Sequence, residues 1–183
     1  MAKHVRLVTP GPEYKEAYLE FYREWVDSEE DIVPWVVEKD PSDFAAMLHF
    51  LEENRLGLGL PEGWVANSTF WLVTEDGQVV GAVNIRHTLT ERGLLVSGHI
   101  GYGIRPAARR KGYATELLKQ ALVKARELGI NKVLVLCDAV NTGSAKTIAN
   151  NGGVEDKPYT EEDGNVIRRF WIETGGYLEK SLE

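Results

Sequence analysis

Residues 98–137 read GHIGYGIRPAARRKGYATELLKQALVKARELGINKVLVLC, and three patterns follow one another in this stretch. Its front end belongs to a strand candidate, Leu94–Arg105, that carries several glycines. In the middle, Ala114, Leu117, Leu118, Ala121, Leu122, Ala125 and Leu128 recur at three- and four-residue steps, which is one helix face across Gly112–Leu128, with Gly129 as its stop. Val133, Leu134, Val135 and Leu136 then run without a polar break inside Lys132–Cys137, as in a strand covered on both faces. Strand, helix and strand in this order predict two parallel strands joined by a right-handed crossover.

The flanks are antiparallel in character. His4–Thr9 alternates polar and apolar residues and ends at Pro10 and Pro12. Between Glu13 and Asp27 the aromatic residues Tyr14, Tyr18, Phe21, Tyr22 and Trp25 fall at helical spacing, and a second helix, Ser42–Asn54, opens after Pro41. Ile32–Val37, around Pro34 and Trp35, reads as a loop, and the glycine-rich Leu56–Asn67 as a long one, a kind that often carries function. Thr69–Thr74 and Gln78–His87 are strands joined across Asp76-Gly77. A short helix over Asn141–Asn150 and a last hairpin, Val154–Tyr159 with Val166–Glu173, complete the chain. The fold class expected is α/β, one domain over residues 1–183: a mixed, mostly antiparallel sheet with one parallel strand–helix–strand crossover, flanked by helices.

The 183 residues carry 21 Lys+Arg against 28 Asp+Glu, a net charge of −7, which argues against nucleic-acid or anionic-membrane binding. Cys137 is the only cysteine, so no disulfide framework and no cysteine-based zinc cluster is expected, and no metal of any kind. No run approaches the ~18–20 apolar residues of a membrane span, and Met1–Pro10 lacks a signal-type apolar stretch. A cytoplasmic protein is expected.

Between the glycine-bearing strand and the helix, Arg105, Arg109, Arg110 and Lys111 place four positive charges within seven residues. They stand before a helix amino terminus, whose unpaired N–H groups and dipole already favour an anion. Gly112 lets the backbone approach a bulky group, and Ala114 keeps the first turn open. A diphosphate seat is the combined reading. No G-x-x-x-x-G-K-S/T loop is present, and Gly98, Gly101 and Gly103 lie within the strand candidate, not at a strand-to-helix turn as a dinucleotide fingerprint requires.

Ile104-Arg-Pro-x-x-Arg109-Arg-Lys-Gly112-Tyr-Ala114-Thr-Glu-Leu-Leu resembles the acetyl-CoA signature of the GNAT superfamily of N-acetyltransferases, with the core Arg/Gln-x-x-Gly-x-Gly/Ala. The likeness continues through the helix and buried strand to Asn141-Thr-Gly-Ser144-Ala-Lys146 and ends near Gly152. It implies acetyl-CoA as co-substrate. The backbone at Tyr102, Gly103 and Ile104 would hydrogen-bond the pantetheine arm as an added strand does. Arg109, Arg110, Lys111, Gly112, Tyr113, Ala114 and Thr115 would hold the pyrophosphate. Asn141 would touch the pantetheine or thioester end, with Ser144 and Lys146 near the outer portion. The two parallel strands would splay around the thioester. The chain departs from the family where many members place a Tyr acid, at Ile148, and where an aromatic usually follows Gly152, at Gly153.

Acetyl transfer to an amine needs a base for the amine, a donor to the thioester carbonyl and a proton for the thiolate. His99 and Tyr102 lie on the strand that should line the cofactor, at opposite parity, so an unbulged strand turns them to opposite faces. Tyr102 is the preferred acid and His99 the preferred base, with His87 and Asp138 in reserve. A strand N–H near Tyr102 or Gly103 would serve the carbonyl. Trp35 and Trp64, on loops, are candidates for the acceptor pocket, and Phe70-Trp71 for the core. The function expected is transfer of an acetyl group from acetyl-CoA to a primary amine, on a small molecule or a peptide, by direct attack in a ternary complex. The other partner expected is at most a second copy of the chain, in a homodimer. The rivals are a non-catalytic acyl-CoA-binding module, motivated by Ile148, and a binder of another phosphate-bearing ligand.

Overall fold

The computed structural model describes residues 4–175. Seven strands form one sheet: β1 Val5–Val8, β2 Asn67–Thr74, β3 Val79–Arg86, β4 Ile100–Ile104, β5 Lys132–Asp138, β6 Val154–Thr160 and β7 Val166–Glu173. Their spatial order is β1-β2-β3-β4-β5-β7-β6. Every neighbouring pair is antiparallel except β4 with β5, which are parallel. That pair needs a crossover, and α4, Tyr113–Glu127, supplies it.

Two cores lie on the two faces. Leu117, Leu118, Ala121 and Leu122 of α4 pack with Val83, Ile85, Ile100, Val133 and Val135, and α5, Thr142–Asn150, adds Ala145 and Ile148. On the other face α1, Lys15–Ser28, and α2, Phe44–Leu56, enclose Tyr18, Phe21, Trp25 and Met47 with Trp71, Val73 and Ala82. Trp71 is wholly buried, and Tyr18 stacks on it at 4.1 Å between ring centroids, so the Phe70-Trp71 step is core as expected.

The strand expected over Leu94–Arg105 is divided. Glu91–Val96 is a helix, α3, whose N-cap Thr90 accepts a hydrogen bond from Gly93 N–H at 3.0 Å. A Thr cap followed by Glu is a helix start, and it overrides the apolar run Leu94–Val96. Gly98, at φ +65°, then turns the chain into β4. Ile32–Val37 contains a short 3-10 turn, Trp35–Glu38, rather than plain loop. No helix among the described residues is long and apolar enough to cross a membrane.

Candidate active site

The parallel strands meet at one point and then part. Ile100 opposes Val135, and His99 N–H donates to Leu134 O at 2.7 Å. A Cβ on Gly98 would stand 2.7 Å from that same carbonyl, so only glycine lets β4 enter this close to β5. Beyond Ile100 no ladder pairing joins β4 to β5 among the described residues. The opening runs toward Ile104 on one strand and Asp138 on the other.

Tyr102 stands in the middle of β4, on the α4 side with Ile100 and Ile104, and its hydroxyl reaches α5, 3.5 Å from Ser144 Oγ. Burial pushes the phenol up to about 12, against smaller opposing effects of hydrogen bonds with Ser144 and Thr147. It therefore keeps its proton at any ordinary pH. Ile148, in the place of the family's tyrosine, is wholly buried in the core. A Cβ at Gly153 would come within 2.7 Å of Ile148 Cγ2, so the two departures from the family pattern are one packing solution.

His99 is turned into the joint between the strands. Its Nδ1 accepts the N–H of Leu134 at 2.9 Å, replacing a ladder partner at the point where the strands separate. Burial, then the nearby Arg86 charge, lower its pKa to about 4. His87 is paired with Ser68 Oγ through Nε2 at 2.8 Å, and Asp138 accepts from Asn165 at 2.9 Å. Neither reserve residue stands beside Tyr102 in these contacts.

The opposite side of β4 is closely covered at its glycines, and at Gly103 there is no room for a side chain. A Cβ on Gly103 would overlap the Val33 carbonyl, and one on Gly101 would touch Pro34. The 32–38 segment thus lies directly on the strand.

At the cationic turn, the charges divide. Arg105 is bound by Glu24 of α1 at 2.5 Å, and Glu24 also accepts from Ala107 N–H at 2.6 Å. Arg109 pairs with Glu30 at 2.7 Å, donates to Ile104 O and lies 5.2 Å from the Trp25 ring. Lys111 donates to Ala107 O at 3.0 Å. Arg110, exposed at φ +62°, makes no side-chain hydrogen bond among the described residues. Gly112, the N-cap at φ +83°, has no side chain to cap α4, and a Cβ there would meet nothing within 4 Å. An uncapped helix end beside open space suits a phosphate. Tyr113 is a core side chain, so it offers that space its N–H alone; Ala114 and Thr115 are half-buried in the same first turn.

Asn141 caps α5, accepting Ser144 N–H at 3.0 Å, and Lys146 is exposed on that helix. The structure therefore brings Tyr102 and Ser144 together and puts Gly103 and Ile104 along the opening. It turns His99 away into the strand joint. On the far face of β3, Trp35 Nε1 donates to Asn84 Oδ1 at 3.3 Å, and Trp35 meets Trp64 edge-on at 4.7 Å. Sequence reasoning named both tryptophans but missed Asn84, which no local pattern marks. A larger groove of about 560 Å³, lined by Lys132, Asn151 and Trp171, lies at the opposite end of β5 from the opening. No cluster among the described residues could hold a metal ion.

No curated protein matches the sequence. Among solved structures, mutant forms of the spermidine/spermine N-acetyltransferase SpeG from Vibrio cholerae align over 97% of this chain and 98% of theirs, with a TM-score of 0.65 and 15% identity. A dodecameric spermidine N-acetyltransferase from Vibrio cholerae aligns over 97% of each chain, with a TM-score of 0.63 and 16% identity. The microcin C7 self-immunity acetyltransferase MccE, in complex with acetyl-CoA and AMP, aligns over 92% of each chain, with a TM-score of 0.63 and 15% identity. At these identities the likeness is one of fold. The model of the acetyltransferase (GNAT) domain matches residues 4–154, and the chain belongs to that family.

Proposed function

We propose that this protein transfers the acetyl group of acetyl-CoA to a primary amine, by direct attack in a ternary complex. One observation carries the reading: β4 and β5 part beyond Ile100 and Val135, β4 carries Tyr102 with its hydroxyl against Ser144 of α5, and the same strand leads into an uncapped cationic helix end. The co-substrate supplies a thioester. The N–H groups of Tyr113, Ala114 and Thr115, with Arg110 and Lys111, hold its diphosphate, and Arg109 joins them by exchanging Glu30 for phosphate. Gly103 and Ile104 hydrogen-bond the pantetheine arm through their backbone. Asn141, Ser144 and Lys146 approach it from α5.

The amine nitrogen forms a bond to the acetyl carbon while the carbon–sulfur bond breaks and its electron pair leaves with sulfur. Tyr102 gives the sulfur a proton and regains one from solvent. The nitrogen loses its proton to water. His99 is assigned a positioning task instead of the base expected for it, because Nδ1 is taken by Leu134 N–H. The acceptor then enters as the free amine, and proximity supplies much of the acceleration.

A second reading, an acyl-CoA-binding module without turnover, is favoured by the buried apolar Ile148 where many members of the family place a tyrosine acid. Calorimetry with acetyl-CoA, followed by thiol release from a panel of amines, separates the two. Micromolar binding and amine-dependent thiol release are expected. Binding without release from any amine would establish the module, and absence of binding would remove both readings.

A further inference from the structure

On the face of β3 opposite α4 lies a cavity of about 240 Å³, walled in part by Trp35, Trp64, Asn67, Arg86 and Arg92. Its link to the strand that borders the opening runs through Trp35: the indole N–H is bound to Asn84, and Asn84 lies across from Gly101, the residue before Tyr102. The register fixes this link more firmly than proximity alone would. Asn84 itself is locked, donating to Asn67 Oδ1 at 2.7 Å and to Thr69 Oγ1 at 3.2 Å.

The charge of this cavity is one-sided. Two arginines line it and no Asp or Glu does. Arg86 is half-buried, yet its guanidinium donates only to two carbonyls, of Ser97 at 3.5 Å and Gly98 at 3.2 Å, and no carboxylate pairs with it among the described residues. Four other half-buried arginines each have a carboxylate: Arg105 has Glu24, Arg109 has Glu30, Arg168 has Glu155 and Arg169 has Asp156, while Arg126 is bound by the Asn131 side chain. Desolvation lowers the Arg86 pKa below the ordinary arginine value, the expected sign for a charge held without a counter-ion. An unpaired guanidinium in a partly dry cavity is costly, and a carboxylate or phosphate offsets that cost with a two-pronged hydrogen bond. Trp64, half exposed at the rim and edge-on to Trp35, gives the cavity an apolar wall beside its charge.

Resting on the acetyl-transfer reading above, we infer that this cavity seats the acceptor, and that the acceptor is a small primary amine bearing a carboxylate or phosphate. Arg86 and Arg92 hold the anion, the tryptophans cover the carbon frame, and the amine points past Asn84 toward Gly101 and Tyr102. A polycationic amine would meet two arginines and no carboxylate, so the cavity selects against it.

The test uses the whole protein and matched pairs. Amino carboxylates are compared with their own amides, aminoalkyl phosphates with the parent amino alcohols, and spermidine stands as the polycation. Thiol release gives kcat/KM, and tryptophan fluorescence without acetyl-CoA gives binding independently of turnover. The anionic member of a pair is expected to exceed its neutral partner at least tenfold in both measurements. In Arg92→Ala, an exposed position, that preference should fall at least tenfold, and Arg86→Gln should lower it while keeping a donor for the Ser97 and Gly98 carbonyls. The carboxylate and phosphate arms identify which anion is preferred. Anion-selective binding without thiol release would uphold the cavity's ligand class and overturn the transferase reading. Turnover in which spermidine or the neutral partners equal the anionic amines would overturn the cavity assignment and leave the transferase reading standing. Equal or absent fluorescence response to all members would likewise overturn it.

Discussion

The cationic turn at Arg105–Gly112 and the cavity at Arg86 and Arg92 both carry positive charge in an acidic protein, yet the fold treats them oppositely. In the turn, α1 reaches across with Glu24 and the chain just beyond it with Glu30, and together they occupy two of the four cations. In the cavity neither arginine has a carboxylate partner among the described residues. A run of Lys and Arg in a sequence therefore overstates the free charge where it is dense. A pair of arginines separated by five residues can leave more of it unspent. Positive potential is a property of the folded surface, after the carboxylates have been placed.

The largest effect should come from breaking the strip of backbone that separates the two regions. Gly103→Val would drive a side chain into the Val33 carbonyl and force the 32–38 segment, with Trp35, off β4. A loss of about 3 kcal/mol or more in a denaturant titration is expected, as for overpacking against backbone that cannot yield. Wild-type stability would mean that Val33 is not seated over Gly103, and the placement of the segment that carries Trp35 would lose its support.

Next in size is Tyr102→Phe. The phenol remains protonated through the working range because burial pushes it up to about 12. Its removal should lower kcat about 10²-fold, the scale of a lost general acid, while calorimetry shows nearly unchanged acetyl-CoA affinity. An unchanged kcat would assign the sulfur's proton to solvent.

A paired comparison sharpens the division inside the turn. Arg105→Ala leaves Glu24 half-buried without its cation, and should cost about 2 kcal/mol of stability with little change in acetyl-CoA affinity. Arg110→Ala breaks no contact seen in the fold and should weaken acetyl-CoA about tenfold with stability unmoved. The reverse pattern would put the diphosphate on the Arg105 side.

What could be read from residues alone follows the same division. The β4–α4–β5 unit was readable because its signals are local: a 3.6-residue stripe, an uninterrupted β run, and turn glycines at both ends. The boundary at Leu94–Val96 was not, since three apolar residues fit a strand or a helix equally well until the Thr90 cap chooses. The cationic turn was found, but the partners of Arg105 and Arg109 lie about 80 residues earlier in the chain, beyond the reach of any pattern. The acceptor side is assembled wholly from such distant pieces, as the 49-residue separation of Trp35 and Asn84 shows. Ile148 and Gly153 looked like two departures from a family pattern, and only their contact reveals a single substitution of packing.

His99 offers the smallest expected effect and the finest distinction. A histidine on the cofactor strand invites assignment as a base, but the sequence cannot say whether its nitrogen faces substrate or a backbone N–H. Here Nδ1 accepts from Leu134, and burial with Arg86 lowers the folded pKa to about 4 from the ordinary 6.5. Between these values the unfolded chain binds a proton that the folded chain refuses, so stability is full above pH 6.5 and falls as pH drops toward 4. His99→Gln keeps an acceptor for Leu134 N–H and removes the titration. At neutral pH it should change stability by no more than about 1 kcal/mol. Its unfolding free energy should decline less on acidification than the wild type's, by an amount on the order of 2 kcal/mol. The pH profile of kcat/KM should be the same in both proteins, governed by the free-amine fraction of the acceptor. A limb near pH 6.5 present in the wild type and lost in His99→Gln would restore the histidine as base, and would require its ring to leave the strand joint during turnover.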